Sequence, residues 1–557
     1  MKLIQITSTE QLKEFRDDWS LILEENQNSN PFIEFVWIYE WWKHLGDEHH
    51  MEIIAVQQGD RIVAFFPFLY KKRWYGYTYN FMALGQANYM DFVVNEHLLD
   101  SAIEFVIDEI IRKRKHVVFY LHGLLESSKT PKSLEAYFEK RKAAYSFHRV
   151  ITPYIDLEKI KLKEYMNKRK KLYKLDRREN RLRSNGVMQF LPSGPKEMDI
   201  IFKLHDKRWK KRNDTSGFTN EKEKDFYRSL AHITEGPMIT EIDSLYINDT
   251  IIAFDYGFKC RGRYLGYIMG YDDDFEFFSP GRILEKEKIL KCKSGSVKKF
   301  DLSIGYEPYK FEWSTHVDYT RTMIFSSNAF ISKVVRSLIS KKESTIIQIK
   351  KNRKLVLLKR LTFGKLLYFL RNLFSESESI NARSELIRLL IGARRYLYER
   401  EKYIVYKLEK KDVPDFADSE TFIELTINDL INSKEIANKH MKEVCRNLYG
   451  GYKGYHPETN LSFENIFWMN DKVIRIEDIS YIEELRKSAI YIMNWHIANI
   501  ADICTYFKRE SKAKTLYVCV KEASKKEVSV LESIGFVVSK RIFKKTYFGN
   551  GKHQIIE

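Results

Sequence analysis

The succession of helix and strand patterns in the middle of this sequence limits its fold more strongly than any other feature. Two helical patterns precede a strand-rich run, MITEIDSLYINDTIIAFDYGFKCRGRYLGYIMGYD, which turn residues at Asn248-Asp249 and Arg261-Gly262 divide into hairpin strands. Ser279-Pro280-Gly281 then marks the start of a helix that runs to about Lys293, and the strand KKFDLSIG follows it. This order predicts a mixed α/β domain with a mainly antiparallel central sheet.

The first 150 residues show a related pattern. The run MEIIAVQQGDRIVAFFPFLYKKR predicts a hairpin that turns near Gly59-Asp60, and a helix through SAIEFVIDEIIRKRK leads into the strand HVVFYLHGL. A chain of 557 residues exceeds what one hydrophobic core usually supports. We therefore expect an N-terminal domain over 1–155 and a second domain over 156–328.

The C-terminal part predicts a third α/β unit over 385–557, joined to the second by a basic connector over 329–384. Its expected elements include the strand YIVYKLEK, helices over 427–448, a helix over 482–508 and the strand KTLYVCV. The stretch YGGYKGY at 449–455 alternates aromatic residues with glycine, a composition suited either to stacking on a sugar or base or to an ordinary surface loop.

The net charge of +18 is concentrated in two segments. Residues 159–183 carry +9 and predict a basic amphipathic helix, and residues 329–374 carry +11 interleaved with apolar residues at helical intervals. Either segment suits an anionic partner such as phosphate, acidic lipid or nucleic acid, or is a solvated helix face or linker. For 329–374 we expect attachment to an anionic membrane surface, with packing between the second and third domains as the alternative.

Cysteine, histidine and hydropathy patterns indicate a cytoplasmic protein without a metal centre. The five cysteines form no CxxC pair, and the fourteen histidines show no metal-ligand spacing. The first residues lack the apolar core of a secretory signal, and no apolar run is long enough to span a bilayer. We expect a cytoplasmic location, with peripheral binding at the inner face of the cell membrane.

The segment GRYLGYIMGYDDDFEFFSPGRILEKEKILKCKSGSVKKFDLSIGYEPYKFEW resembles the CelD/BioF2-like acetyltransferases, which are related to the FemABX transferases. In that family a Tyr-Asp precedes a Ser-Pro-Gly helix start, and a later Phe-Asp-Leu-x-x-Gly is followed by Tyr-Lys. NPFIEFVWIYEWWKHLG and FMALGQANYMDFVV are similar to the matching N-terminal pattern. The resemblance covers about 1–325 and implies tandem GNAT-like domains. The ending SVLESIGFVVSKRIFKKTYF looks like the end of a further GNAT-like domain.

The resemblance implies an acyltransferase that moves an acyl group, expected to be acetyl, from CoA to an amino or hydroxyl group of a sugar or cell-envelope glycan precursor. A lipid-linked sugar is one such acceptor. One alternative is a FemABX-like transferase that uses aminoacyl-tRNA, in which residues 159–183 would track the phosphate backbone. Another is a non-catalytic scaffold or anionic-ligand-binding module, because the GNAT signature R/Q-x-x-G-x-G/A is absent from both halves. Without a G-x-S-x-G elbow or a cysteine signature, direct transfer in a ternary complex is favoured.

The expected carrier site is the helix start at Ser279, Gly281, Arg282 and Ile283. Free backbone N–H groups at a helix N-terminus favour a pyrophosphate. Ser279 can cap the helix, Gly281 lets the backbone approach the ligand and Arg282 adds positive charge. The alternative is an ordinary helix start.

The expected catalytic residues are Lys310, Asp301, Asp91 and Tyr309. Lys310 matches by position a lysine that FemABX-type transferases use near the acyl group, or is a surface lysine at a strand end. Asp301 either orients Lys310 or the substrate, or caps a strand end. Asp91 either faces the acceptor or is a loop aspartate.

In the third unit, the expected place of the phosphate loop reads ISYIEELRKSAIYIM, and no glycine lies between Ile476 and Gly535. Side chains there would hinder the approach of a pyrophosphate. We therefore expect this unit to bind rather than to catalyse.

Overall fold

The computed structural model describes residues 1–168, 170–210, 218, 220–351, 398–416, 420–433, 435–459, 461–547 and 550–556. The greater part of the expected connector, residues 352–384, lies outside this range. No helix within the described part of the chain combines the length and apolar character needed to cross a bilayer. The architecture is mixed α/β with mainly antiparallel sheets, as expected from the sequence.

The N-terminal region alternates strands and helices along the chain. Its strands are β1 (Lys2–Ile6), β2 (His50–Gln58), β3 (Arg61–Arg73), β4 (Gly76–Phe81), β5 (Val93–Val94), β6 (Val117–Leu125) and β7 (Tyr145–Asp156). Its helices are α1 (Thr9–Glu14), α2 (Arg16–Glu25), α3 (Phe35–Leu45), α4 (Leu99–Lys113) and α5 (Thr130–Arg141). α4 forms where apolar residues recur every three or four positions, and it buries that face against the sheet.

The middle region repeats the strand and helix order that the sequence predicts. Its helices are α6 (Leu162–Asn167), α7 (Lys170–Arg183), α8 (Met198–Lys210), α9 (Glu221–Ala231), α10 (Pro280–Ser294), α11 (Pro308–Trp313) and α12 (Phe330–Lys351). Its strands are β8 (Met188–Ser193), β9 (Met238–Ile247), β10 (Thr250–Cys260), β11 (Arg263–Tyr271), β12 (Lys299–Asp301) and β13 (His316–Ser326). The hairpin turns lie at the predicted positions, and Asn248, Asp249 and Arg261 have positive φ angles there.

One sheet runs through both regions, and it contains thirteen strands among the described residues. Its order is β1-β2-β3-β4-β6-β13-β7-β12-β11-β10-β9-β8, with β5 paired to β3. β13 lies between β6 and β7, and β7 lies between β13 and β12. β7, the last strand of the N-terminal region, therefore pairs with β12 of the middle region. β13, the last strand of the middle region, pairs with β6 of the N-terminal region.

Three parallel strand pairs interrupt the antiparallel sheets of the described chain. They are β4 with β6 and β11 with β12 in the large sheet, and the corresponding pair in the C-terminal unit. Each pair is joined by a crossover that contains a helix, as parallel strands require. The same local design therefore occurs three times along the chain.

The C-terminal region has strands β14 (Tyr398–Glu409), β15 (Phe422–Glu424), β16 (Lys453–Pro457), β17 (Phe467–Asn470), β18 (Val473–Ile476), β19 (Tyr481–Glu484), β20 (Ala489–Met493), β21 (Thr515–Lys521), β22 (Val537–Tyr547) and β23 (Asn550–Ile556). Its helices are α13 (Ile427–Asn432), α14 (Met441–Tyr449), α15 (Ile500–Glu510) and α16 (Lys525–Ile534). Eight strands form the order β15-β16-β17-β20-β21-β14-β22-β23 in the described residues, and β18 pairs with β19.

The predicted helix over 482–508 is wrong in its first half. Residues 481–493 form β19 and β20, and the helix α15 begins only at Ile500. β20 pairs with β17 and with β21, so its backbone hydrogen bonds go to neighbouring strands. Sheet pairing has overridden a local pattern that suited either structure.

The C-terminal unit packs directly on the middle region. One buried cluster contains Phe278 and Ile283 from the middle region together with Tyr403 and Leu448 from the C-terminal unit. A shared apolar core fixes the position of the C-terminal unit beside the start of α10.

Candidate functional site

The parallel strands β11 and β12 separate after three residue pairs. Arg263 pairs with Lys299 and Leu265 with Asp301, after which β12 ends while β11 continues to Tyr271. The helix α10 connects the two strands in sequence. We call the space between residues 266–271 and the segment that follows Asp301 the wedge. A cleft at the carboxyl ends of parallel strands is a common place for a ligand.

A loop of the N-terminal region, residues 82–92, reaches to the wedge. The Asn88 side-chain amide donates to Ser303 Oγ at 2.7 Å, and the Tyr267 hydroxyl donates to the carbonyl oxygen of Gln86 at 2.5 Å. The Tyr89 hydroxyl donates to Asp301 Oδ1 at 2.9 Å. The wedge is therefore built from both regions of the large sheet.

Asp301 forms a buried clasp at the end of β12. Its carboxylate is ion-paired with Arg263 and accepts hydrogen bonds from Tyr89 and from the amide of Ser303. Burial opposes ionisation, but the charge of Arg263 holds the pKa of Asp301 below its usual value. These contacts hold the strand end and the loop in place, and Lys310 is not among the partners that the carboxylate contacts.

Lys310 is buried rather than a surface lysine at a strand end. It lies in α11 with 6% of its surface exposed, and its Nζ donates to the carbonyl oxygen of Ile304 at 2.5 Å. Its second contact is the carboxylate of Glu307 at 3.2 Å. The ammonium group is thus held beside the segment that follows β12, which forms one side of the wedge.

Tyr309 lies next to Lys310 in α11. Burial and the nearby charge of Glu285 raise the pKa of its hydroxyl well above the usual value, with Glu307 acting in the same direction. Its hydroxyl therefore stays protonated and can donate a hydrogen bond, but it is a weak acid.

Glu285 is the functional candidate that sequence reasoning missed. It lies one turn into α10 with only 2% of its surface exposed, and burial raises the pKa of its carboxyl to about 8. The charges of Arg282 and Lys310 and a hydrogen bond from Trp313 act in the opposite direction. A carboxyl that titrates near neutral pH beside a lysine and a tyrosine is typical of an acid–base group.

A second group of buried charges lies behind Glu285 in the middle region. Lys288 is fully buried, contacts Glu241 at 2.8 Å and Asp243 more closely, and lies over the ring of Tyr264 at 4.2 Å. Tyr264 donates to Asp255, whose pKa burial raises to about 6. Ionised Asp255 raises the pKa of Glu285 further, although burial is the larger cause.

The start of α10 differs in detail from the expected carrier site. Ser279 precedes Pro280 at the first helical turn with a left-handed backbone, but its side chain accepts from Arg178 instead of capping the helix. The amides of Arg282 and Ile283 bond to the carbonyl oxygen of Ser279 at 3.0 and 3.2 Å.

Gly281 is packed closely at this helix start. A Cβ atom there would lie 3.0 Å from the ring of Tyr271, so packing alone accounts for the absence of a side chain. The buried side chain of Ile283 belongs to the shared apolar core. The Arg282 guanidinium is ion-paired with Glu312 of α11.

Three arginines nevertheless surround this helix start. Arg178 contacts Ser279, Arg282 lies in the first turn, and Arg208 lies 4.2 Å from the centroid of the Tyr271 ring. Guanidinium groups are the donors that pyrophosphate prefers in proteins. The side chains present therefore fit the phosphates of an acyl-CoA.

Asp91 lies apart from the Lys310 group. It lies in the loop before β5 and is buried against the start of α5. There it accepts hydrogen bonds from Thr130, from Ser128 and from the amide of Phe92. Burial raises the pKa of its carboxyl to about 6. The structure brings together Lys310 and Tyr309 near Arg282, whereas Asp91 remains on the N-terminal side.

The C-terminal unit covers the segment that leads into α10. Lys442 of α14 contacts Glu276 at 2.6 Å, and Arg181 of α7 donates to the carbonyl oxygen of Tyr449 at 2.6 Å. The ring of Tyr449 packs edge-on against Phe278 at 5.6 Å. Tyr452 and Tyr455 are buried as well, so the 449–455 stretch is part of the core and neither a stacking platform nor a surface loop.

The phosphate-loop position of the C-terminal unit lies further along the chain than predicted. The crossover that joins the parallel strands β20 and β21 begins with Asn494-Trp495-His496-Ile497-Ala498-Asn499, ahead of α15. The predicted stretch ISYIEELRKSAIYIM forms most of β19 and β20 instead. The actual loop also lacks glycine, so the reason for expecting no carrier site there still applies.

Residues 169–311 match the family model described as an acetyltransferase (GNAT) domain. This range contains the wedge, α10, Glu285 and Lys310. Among curated proteins, none matches the chain.

Several solved structures match the chain at low identity and low TM-score. FemX is 10% identical with a TM-score of 0.41, and the match covers 57% of this chain and 97% of that chain. The C-terminal DUF2156 domain of a protein from Agrobacterium fabrum, described as a lysylphosphatidylglycerol synthetase, is 12% identical with a TM-score of 0.39, covering 60% and 97%. A tandem GNAT protein from the clavulanic acid biosynthesis pathway is 11% identical with a TM-score of 0.35, covering 58% and 98%.

The matched range and the topology agree. The GNAT-like fold class expected from the sequence is confirmed, whereas the closer likeness to the CelD group stays a prediction. Residues 169–311 are similar to an acetyltransferase domain of the GNAT type, and this range holds the buried Glu285 and Lys310 and the half-buried Tyr309.

Proposed function

We propose that this chain is an acyl-CoA-dependent N- or O-acyltransferase that acts on a sugar or cell-envelope glycan precursor, with its reaction centre in the wedge. The observation that carries the proposal is the pair of buried side chains Glu285 and Lys310, with the half-buried Tyr309, beside the start of α10. Buried titratable groups of this kind need a functional or a strong structural reason, because their desolvation is costly.

Glu285 is the proposed general base. Ionised Glu285 takes the proton from the acceptor amine or hydroxyl as that group attacks the acyl carbon. Because burial raises the pKa of Glu285 to about 8, the reactive carboxylate becomes more abundant as the pH rises towards that value.

Lys310 and Tyr309 act on the opposite side of the reacting carbon. The Lys310 ammonium stabilises the negative charge that develops on the acyl oxygen, and the Tyr309 hydroxyl donates a hydrogen bond to the departing thiolate, which is then protonated from solvent. Acyl-CoA supplies the activated thioester when bound. Arg178, Arg208 and Arg282 would hold its phosphates.

The acceptor assignment rests on the resemblance of residues 262–313 to CelD-like acetyltransferases. An amino or hydroxyl group on a sugar, including a lipid-linked sugar, is a nucleophile that a neutral-pH carboxylate can activate. The aminoacyl-tRNA alternative draws on the basic helix α7, where Arg178 and Arg181 already contact Ser279 and Tyr449.

Ligand binding by the purified full-length chain tests the donor. We expect acetyl-CoA to raise the melting temperature and charged tRNA to leave it unchanged, since binding to the folded state stabilises it by mass action. Tight binding of charged tRNA alone would reject the CoA-dependent reaction. Binding of neither donor, with no product in mass spectrometry of glycan acceptors, would favour the non-catalytic scaffold.

A further inference from the structure

The two most exposed large apolar side chains among the described residues lie at the same end of the large sheet. Trp74, at the tip of the β3–β4 hairpin, is 89% exposed, and Phe330, at the start of α12, is 80% exposed. The hairpin tip is tied to the start of β6 by the Tyr77 amide, which donates to the carbonyl oxygen of His116 at 2.8 Å. The Ser327 amide donates to the carbonyl oxygen of the next residue, Val117, at 3.0 Å.

The helix α12 has one face on the sheet and one face exposed. On the inner face, Glu343 accepts from the Tyr120 hydroxyl at 3.0 Å, and Ser340 lies 3.0 Å from the His148 ring. The outer face presents a stripe of apolar side chains: Phe330, Ile331, Val334, Leu338 and Ile349. Exposed apolar side chains grouped on one face of a helix, as at Phe330, Ile331, Val334 and Leu338, are typical of an interaction surface.

Basic side chains surround these apolar groups. They are Lys71, Lys72, Arg73, Lys115, Lys333, Lys341 and Lys342, and all seven are exposed. Within the described residues none of them has an ion-pair partner. The segments 71–79 and 328–342 contain no Asp or Glu, so no carboxylate on either segment neutralises this surface.

We propose that this surface, formed by residues 71–75, Lys115 and the outer face of α12, docks on the headgroup region of an acidic lipid bilayer. Tryptophan and phenylalanine insert at the apolar boundary of a bilayer, and lysine and arginine contact anionic headgroups. The proposal concerns a different surface from the reaction centre and does not depend on acyl transfer.

Charge decides between the bilayer and other occupants. The segment that follows α12, residues 352–374, carries six Lys/Arg and no Asp or Glu, so it would repel this surface instead of covering it. A nucleic acid would match the charge but would gain little from the aliphatic Ile331, Val334 and Leu338. An acidic bilayer matches both the charge and the apolar stripe.

Vesicle co-sedimentation of the full-length chain tests the proposal. We expect binding to phosphatidylcholine vesicles that contain phosphatidylglycerol, but not to phosphatidylcholine alone, and loss of binding at high salt. Trp74→Ser with Phe330→Ser, and separately Lys71→Glu with Lys72→Glu, should each weaken binding by about tenfold or more.

Matched substitutions elsewhere serve as controls. Ile482 is 60% exposed beside Glu483 and Glu484, and Lys525 with Lys526 forms an exposed basic pair on α16. Ile482→Ser and the Lys525→Glu/Lys526→Glu variant should bind vesicles as the unchanged protein does. Protein that stays in the supernatant at low salt overturns the proposal, and so do surface variants that bind normally.

Tryptophan fluorescence gives a direct readout of insertion. Among the eight tryptophans whose side chains the structure describes, seven are buried and Trp74 is exposed. Brominated lipid in the vesicles should quench the emission of the unchanged protein, and Trp74→Phe should keep vesicle binding but lose most of the quenching. Equal quenching in both proteins would place the contact elsewhere and refute the docking surface.

Discussion

Glu285 is held in a setting that opposes its ionised form. Its pKa near 8 lies above the ordinary value of 4.5 because the carboxyl is buried. A raised carboxyl pKa means that the folded state binds the proton more tightly than the unfolded state. Its contribution to stability is therefore full below pH 4.5 and is lost as the pH rises through about 8.

Glu285→Gln tests both roles of this carboxyl. Between pH 5 and pH 9, the free energy of unfolding of the unchanged protein should fall by a few kcal/mol more than that of the variant, since one pKa unit is about 1.4 kcal/mol. The melting temperature of the unchanged protein should fall accordingly. The rate of acyl transfer should rise with pH in the unchanged protein and drop by about 10²-fold or more in the variant. A variant with parallel melting curves and normal turnover would remove Glu285 from the site.

Lys310→Ala should lower acyl transfer by about 10²-fold or more, because the ammonium group is the electrostatic partner of the developing charge. Lys310→Arg keeps the charge but changes the geometry, and it should recover part of the rate. Circular dichroism checks the fold, and Lys453→Ala, a substitution of an exposed lysine that pairs with Glu424, is the control. Full activity in Lys310→Ala would contradict the assignment.

At the scale of elements, Gly281 at the start of α10 both packs against Tyr271 and belongs to the expected carrier site. Gly281→Val should lower both the melting temperature and the affinity for CoA, because a side chain there crowds Tyr271 and costs about 1–3 kcal/mol. The double variant with Tyr271→Ala should regain stability. If it also regains normal CoA affinity, the phosphates do not approach the chain at Gly281.

The same element shows which predictions a local pattern supports. Ser-Pro-Gly correctly predicts where α10 begins, because proline suits the first turn of a helix. It does not predict that the Ser279 hydroxyl contacts Arg178, since that arginine lies on α7, a hundred residues earlier in the chain. Residues 482–493 fail for the opposite reason, because β20 forms by pairing with β17 and β21, about twenty residues away on either side.

At the scale of the whole molecule, the exchanged strands β7 and β13 join the first two regions into one sheet. β13 pairs with β6 from Thr320 to Ser326, and Phe325 stacks on Phe119 of β6 with ring centroids 4.5 Å apart. The expected boundary between 155 and 156 falls before the last residue of β7, Asp156, and β7 itself pairs with β12 of the next region. Hydrogen bonds of the large sheet therefore cross the expected boundary between the first two domains.

This exchange predicts that the two regions cannot be separated by cleavage between them. A protease site inserted after Lys159, in an exposed turn, should yield two fragments that still elute together in size-exclusion chromatography. The cut protein should unfold in a single thermal transition, as the uncut protein does, because each fragment supplies a central strand to the other. Fragments that separate without denaturant would contradict the strand order.

The sequence by itself determined the local elements of this protein. Hairpin turns, the apolar face of α4, the start of α10 and the mixed α/β class all follow from residue patterns within a few positions of one another. The match of residues 169–311 to a GNAT domain model likewise reflects a local succession of such elements.

Only the tertiary structure decided which polar residues are buried together. α10 carries Glu285, Lys286, Glu287 and Lys288 in succession, and the sequence does not show that Glu285 and Lys288 face inward while Lys286 faces Asp176 and Glu179. The strand exchange and the position of the C-terminal unit beside α10 also depend on contacts between distant residues. Burial and pairing across the fold set the pKa of Glu285, and neither is encoded in a short stretch of sequence.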